Sequence, residues 1–445
     1  MNSGDTRKSY TTDAVYGISR EVPLNYVSRQ AVDDEFISNL GRDKHVVIYG
    51  SSKQGKTSLR KYCLKEDDYI AVQCGNRWSL SDLHNNVLKR AGFQLETTNK
   101  LTITGKHKVA AKLGIKAHII EAGIGGERAS GQETERTFTP IELDPDDPND
   151  IIEALKAINF GQFIVLEDFH YLPQETQKDF AVALKAFHER SKLCFIIVGV
   201  WLEENRLVVY NGDLTGRIVA VNADKWTSDE LRKVIAEGSR LLNVTFPETI
   251  ISQLIASANE SVYIVQEACR RICLDSNVTE TQRQNLVVGA NADVSAVVNA
   301  IVGEQSARYR SFISQFAEGF TQTRLEMYKW ILFPILRATK QQSEAGFRYG
   351  SIRRLLETKH PSGANFNAGN LTQALQSVSS LQVQKGIKPI IIDYDSTNLK
   401  LNIVDRGFII WLAQQDKREL LREVGLPPEE ELQDQLPHLN GDANA

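Results

Sequence analysis

Short apolar runs and stretches of helical period alternate along this chain, and the alternation predicts its architecture. His45–Tyr49, Tyr69–Cys74, Phe163–Glu167, Cys194–Gly199 and Arg217–Val221 are brief runs dominated by apolar residues. Runs of that kind predict strands buried on both faces. Helical periodicity fills intervals between them, as in Ser79–Ala91 and Gln174–Glu189. Strands that alternate with helices predict an α/β fold around a parallel sheet. An amphipathic helix, Ala31–Leu40, precedes the first strand, and the polar stretch Met1–Thr12 reads as frayed.

The interval between the second and third strands is too long for one crossover. Leu101–Ile103 and Lys108–Ile120 predict the strands of a hairpin insertion at about 95–147, with a glycine-rich loop at Gly123–Gly131. Lys106, His107, Lys108, Lys112, Lys116 and His118 make it the most basic segment. It reads either as a solvated strand face or as a contact surface for nucleic acid or a partner. Asp144–Asp150 reads as an acidic loop that caps the helix Ile151–Ile158; EF-hand spacing is missing.

From Thr227 to Cys273 the period is helical, which predicts a helical lid after the sheet. From Arg324 a second pattern begins: helices at Leu325–Arg337, Ser351–Glu357 and Ala368–Ser380, with Asn367 as N-cap, then strands at Ile390–Tyr394 and Lys400–Val404. Three helices followed by a β-hairpin is the order of a winged helix. The expected domains are a flexible 1–15, a core over 16–225, a helical lid and linker over 226–320, a winged helix over 321–414 and an acidic tail over 415–445.

Composition narrows the possibilities. The 445 residues are 42% hydrophobic and 24% charged, ordinary for a globular protein. A net charge of −4 confines any nucleic-acid surface to a local patch. No signal-like or membrane-length apolar run is present, so a cytoplasmic protein away from membranes is expected. Cys269 and Cys273 lie one helical turn apart without a second pair, which argues against zinc.

The chemistry concentrates in Gly50–Thr57, which reads G-S-S-K-Q-G-K-T between a predicted strand and a helix beginning at Ser58. This is the G-x-x-x-x-G-K-[ST] loop. Its glycines let the backbone N–H groups of Ser51, Ser52, Lys53, Gln54 and Gly55 turn toward phosphate. Lys56 reaches the β/γ-phosphates and the Thr57 hydroxyl ligates Mg²⁺. A helix N-terminus adds favourable potential for the same anion. Such a loop needs acids opposite. Phe163-Ile164-Val165-Leu166-Glu167-Asp168 supplies two at the C-terminal edge of a strand, where ligands sit in open α/β sheets. Both Glu167 and Asp168 are candidates for the metal; Glu167 is assigned to it and Asp168 to the attacking water, and the reverse assignment stays open. The Cys194–Gly199 run ends without a polar residue to sense the γ-phosphate. Arg217, in Asp213–Arg217, reads as an arginine finger acting on a neighbouring subunit or as a surface arginine paired with Asp213. Tyr26 and Val27 read as an adenine contact or as a staple on the following helix.

Taken together, Tyr26-Val27-Ser28-Arg29, the phosphate loop, the strand ending in two acids and Gly216-Arg217 resemble the AAA+ and STAND branch of P-loop ATPases. The pattern is similar to that of origin-recognition, transposition-regulator and STAND ATPases, over about Tyr16–Cys273. The resemblance implies ATP and Mg²⁺ as cofactors, a 5-1-4-3-2 strand order, a helical lid, homo-oligomerisation and a switch that recruits a protein partner, as in genome defence or mobile-element control. It departs from the family in three places. The acids run Glu then Asp, the fourth-strand sensor is missing, and Ser261–Gln266 replaces the lid's Gly-x-Pro-Arg, with Arg270 or Arg271 as a substitute. Slow hydrolysis is therefore expected. Two other functions stay open: a DNA-binding ATPase that loads or remodels a nucleoprotein complex, and a scaffold that binds nucleotide without hydrolysis. In the winged helix Arg353 and Arg354 are the candidate DNA contacts, while the turn Asp395–Asn398 is acidic and repels phosphate, so the domain reads either as a DNA reader or as a protein or inter-subunit contact.

Overall fold

The computed structural model describes residues 8–102, 105, 107–113, 140–224, 226–321, 324–363 and 367–428. The strands are β1 (His45–Tyr49), β2 (Tyr69–Gln73), β3 (Phe93–Leu101), β4 (His107–Leu113), β5 (Ile141–Leu143), β6 (Phe163–Glu167), β7 (Phe195–Val198), β8 (Ile218–Asn222), β9 (Val244–Thr245), β10 (Leu286–Val287), β11 (Phe347–Arg348), β12 (Ile392–Asp395) and β13 (Lys400–Ile403). The central sheet runs β2-β6-β7-β1-β8, with every pair parallel. Counting only these five in chain order, that is the 5-1-4-3-2 arrangement read from the other edge. The α/β fold expected from the sequence is present.

Alternation along each strand splits the sheet's two faces. Val46 and Ile48 of β1 pack with Phe36, Leu59, Val165 and Val198 on one side. Val47 and Tyr49 face Ile164, Leu166, Phe180 and Ile197 on the other. Both faces are dry, which is why the sequence shows unbroken apolar runs instead of alternation.

The insertion differs in detail from its prediction. Its first strand is β3, beginning at Phe93, and it pairs antiparallel with β4, which pairs with β5. The glycine-rich loop and the residues Lys106, Lys116 and His118 lie outside the described residues. Phe93, Ala111 and Leu143 anchor this sheet to the core beside Val72 and Leu88. Its charge is partly cancelled, since Lys100 pairs with Glu142 at 2.7 Å and Lys112 with Glu96 at 2.9 Å. The acidic loop caps the helix Pro148–Ala157 through Asp147, with Pro148 in the first turn.

The helices after β8 and the C-terminal elements share one continuous hydrophobic core, from Tyr16 through Leu254 and Phe312 to Trp411. Residues 8–16 join it. Thr11 bridges to Glu280, Arg270 pairs with Asp13 at 2.8 Å, and the Tyr16 hydroxyl donates to the Ile235 carbonyl at 2.8 Å. Tyr16 lies so close to Gly238 that a Cβ there would sit 2.3 Å from its ring. The C-terminal part has helices Met327–Arg337, Lys340–Ala345 and Tyr349–Lys359 and an antiparallel β11-β13-β12 sheet. The expected helix Ala368–Ser380 is two, Ala368–Gln376 and Val378–Gln384, meeting at Ser377. Part of the expected tail is packed too. The helix Lys417–Glu423 buries Leu420 and Leu421, and residues from 429 lie outside the described residues.

Candidate nucleotide site

The loop Gly50–Thr57 leaves β1 and enters the helix Lys56–Cys63. Gly55 caps that helix at φ 82°, a left-handed conformation that glycine adopts without strain. Gly50 has φ 144°, and a Cβ on it would lie 2.9 Å from the Asp224 nitrogen. Both glycines of the motif thus sit at backbone angles that strain other residues, and Gly50 also has no room for a side chain.

Lys56 is buried, and its ammonium donates to the carbonyls of Gly50 at 3.0 Å and Ser51 at 2.5 Å. Burial pushes its pKa down to about 8, against the pull of Asp224, Asp168 and Glu167. An ammonium so poorly solvated gains strongly from an incoming anion. The two acids end β6 as expected. Glu167 pairs with Arg60 at 2.8 Å, a partner one helical turn after Lys56. Asp168 sits at φ 54° and accepts from the Gln73 side chain. Burial raises the pKa of both carboxyls. The Thr57 side chain is exposed at the start of its helix.

Asp224, two residues past β8, proves central, although the sequence reading passed over it. It accepts from the Ser51 N–H and hydroxyl, each at 3.1 Å, and pairs with Arg406 at 2.9 Å. Arg406 also pairs with Glu260 at 3.0 Å. One residue pair away, the Ser52 N–H donates to the Val404 carbonyl at 3.0 Å. The C-terminal part therefore occupies an amide of the phosphate loop itself. Lys53 lies over the Tyr263 ring, and Trp226 donates from its indole to the Gln54 carbonyl at 3.2 Å. An acid just beyond a strand's C-terminal edge was the signal available for Asp224. The distance in sequence hid Val404 and Arg406.

The remaining candidates fall in two places. Tyr26 stacks on Tyr62 with centroids 4.3 Å apart and donates to Asp33 at 2.8 Å, while Val27 packs against the core of the helices that follow β8. Arg29 lies over Trp226 and donates to the Ala223 carbonyl at 2.8 Å, so this segment reaches the rim of the loop. Arg217 stands elsewhere. Its carbonyl accepts from the His45 N–H at the start of β1, and the loop leaves the strand's other end. At about 3.3 Å per residue that separation is roughly 17 Å. Its side chain pairs with Glu189 at 2.7 Å and donates to the Asp213 carbonyl.

No family model matches the sequence, and no curated protein matches it. Solved structures are similar in fold. The Walker-type ATPase of Pyrococcus abyssi aligns at 12% identity over 89% of this chain and 99% of its own, with a TM-score of 0.48. The Aeropyrum pernix Orc1 protein, solved in complex with DNA, aligns at 10% over 93% and 98%, TM-score 0.42. The Thermotoga maritima RuvB Holliday junction branch migration motor aligns at 11% over 83% and 90%, TM-score 0.34. The strand order carries the fold assignment. With the glycine-bounded loop leaving β1, this chain has the α/β fold of P-loop proteins.

Proposed function

We propose that the protein is an ATP-binding, slowly hydrolysing molecular switch. One observation carries this reading: the buried Lys56 ammonium stands inside the glycine-bounded loop and within the field of Glu167 and Asp168. The residues fit ATP and Mg²⁺. Ser51, Ser52, Lys53, Gln54, Gly55, Lys56, Thr57 and Ser58 line the phosphate path, and Thr57 and Glu167 would hold the ion. Bound Mg²⁺ would neutralise charge that builds on the phosphates. Asp168 suits the water-orienting role, because burial raises its proton affinity and a side-chain amide fixes it. Tyr26 and Val27 flank the base side. Arg217 is too far to serve its own loop and fits a role in a neighbouring copy of a homo-oligomer.

A switch is favoured over a motor by the seat of the C-terminal part. Val404 uses a loop amide and Arg406 holds the acid that braces Ser51. Nucleotide and this segment compete for the same groups, so occupancy of the site is linked to domain position. DNA remodelling is less well supported. Arg353 pairs with Glu357, and the wing turn is tied to the core where the Thr397 hydroxyl donates to Glu203. The test is equilibrium nucleotide binding and turnover by purified variants. Lys56→Ala is expected to abolish binding. Asp168→Asn is expected to bind within a few-fold of wild type and lose at least a hundredfold in turnover. Unchanged turnover in Asp168→Asn would remove the catalytic assignment.

A further inference from the structure

The side chain of Gln54 points away from the cradle, into the junction between the phosphate loop and the lid. It is fully buried. Its Nε2 donates to the Glu260 carbonyl at 3.3 Å, and its Oε1 accepts from the Val262 N–H at 3.4 Å. Those two groups bracket the start of the lid helix Val262–Asp275, whose N-cap is Ser261.

The chain enters that helix through an unusual turn. Asn259 has φ 51° and Glu260 φ 56°, two successive left-handed residues of which neither is glycine. The Ser261 N–H closes the turn on the Ala258 carbonyl at 3.0 Å. Left-handed φ at both central positions is the pattern of a type I′ turn, where glycine and asparagine are preferred. A glutamate there is disfavoured unless its surroundings hold it. Gln54 holds it from the loop side. Arg406 holds it from the other, donating to the Asn259 carbonyl at 3.2 Å and pairing with the Glu260 carboxylate.

We infer that Gln54 is a positioning residue that reports the state of the phosphate loop to the lid, and that the Ala258–Ser261 turn is the joint it acts on. The inference rests on the reading that a nucleotide's phosphates seat in the loop. The physical basis is short. The backbone on either side of Gln54 supplies phosphate-facing N–H groups, so an anion fixes its main chain. The side chain is rigidly placed and carries that displacement to the first amide of the lid helix. A strained turn moves because it is held by contacts and not by its own preference.

The experiment is hydrogen exchange of the full-length protein with and without a non-hydrolysable ATP analogue, read at the amides of 264–268. Two variants cut the link from opposite sides. Gln54→Leu keeps the volume and loses both hydrogen bonds. Val262→Pro removes the N–H donated to Gln54 and keeps an apolar side chain at this buried position. Proline is tolerated at the first helical position, and the extended backbone of Ser261 suits a following proline. Wild type is expected to slow exchange at least tenfold on binding the analogue. At analogue concentrations that saturate each protein, both variants are expected to show less than a twofold change at those amides, and Val262→Pro, which lies outside the binding loop, is expected to bind the analogue within about tenfold of wild type. A full wild-type response in either variant overturns the inference while leaving nucleotide binding intact. Wild-type protein that binds no analogue overturns both.

Discussion

Replacing Lys56 by methionine should stabilise the nucleotide-free protein at neutral pH while removing its ability to bind nucleotide. Burial lowers the Lys56 pKa from 10.5 to about 8. The folded protein therefore holds that proton less tightly than the unfolded chain does. Below pH 8 the ammonium is charged in both states, and the burial cost is present in full. Between about pH 8 and 10.5 the folded state has lost a proton that the unfolded state keeps, so stability rises with pH across that window. At ~1.4 kcal/mol per pKa unit the whole effect is about 3 kcal/mol. Methionine follows the lysine stem as far as its last carbon and carries no charge, so it removes this cost. It also removes hydrogen bonds to the Gly50 and Ser51 carbonyls, about 1 kcal/mol each. The net is a gain of about 1 kcal/mol at pH 7, becoming a loss of about 2 kcal/mol near pH 11. Urea unfolding of both proteins at a series of pH values from 7 to 11 measures this, since titrating groups beyond the reach of the Lys56 charge cancel in the difference. A difference that stays constant with pH, or a variant clearly less stable at pH 7, would refute the claim that Lys56 is held charged in a dry site.

Three further outcomes are expected. Arg206 is buried between Glu203 and Asp393, so Arg206→Met leaves two carboxylates without their cation and should cost about 3 kcal/mol or more in chemical denaturation; a loss under 1 kcal/mol would mean the interdomain pairing is not formed in solution. Arg406→Ala frees Asp224 and the Ala258–Ser261 turn, and stopped-flow binding should show nucleotide association faster by about tenfold, the equivalent of ~1.4 kcal/mol. Gly50→Ala places a methyl against Asp224 at φ 144° and should destabilise by about 2 kcal/mol while weakening nucleotide binding, both readable by calorimetry with and without ATP.

The sheet was legible because its strands are dry on both faces, so Val46 to Ile48 and Ile164 to Leu166 appear as uninterrupted apolar runs. The loop was legible because its glycines and Lys56 are fixed by local geometry alone. What escaped depends on partners far along the chain. Nothing near Glu167 announces Arg60, and nothing near Ser52 announces Val404. Trp226 is buried core, and nothing in the sequence shows that its indole N–H also serves the loop. The helix break at Ser377 escaped because polar and apolar positions keep helical spacing across it. Leu420 and Leu421 pack although charged neighbours surround them, since two leucines suffice to seat one short helix.

Tyr16 has a practical consequence. It occupies space that a side chain at position 238 would need, and the residues around it form a bridge to Glu280 and an ion pair to Arg270, more than two hundred positions away. A shortened chain begun at the first strand of the sheet, His45, would not be a minimal nucleotide-binding unit. It would be a protein with a hole in its lid, and any loss of activity in it would report missing ballast before it reported missing chemistry.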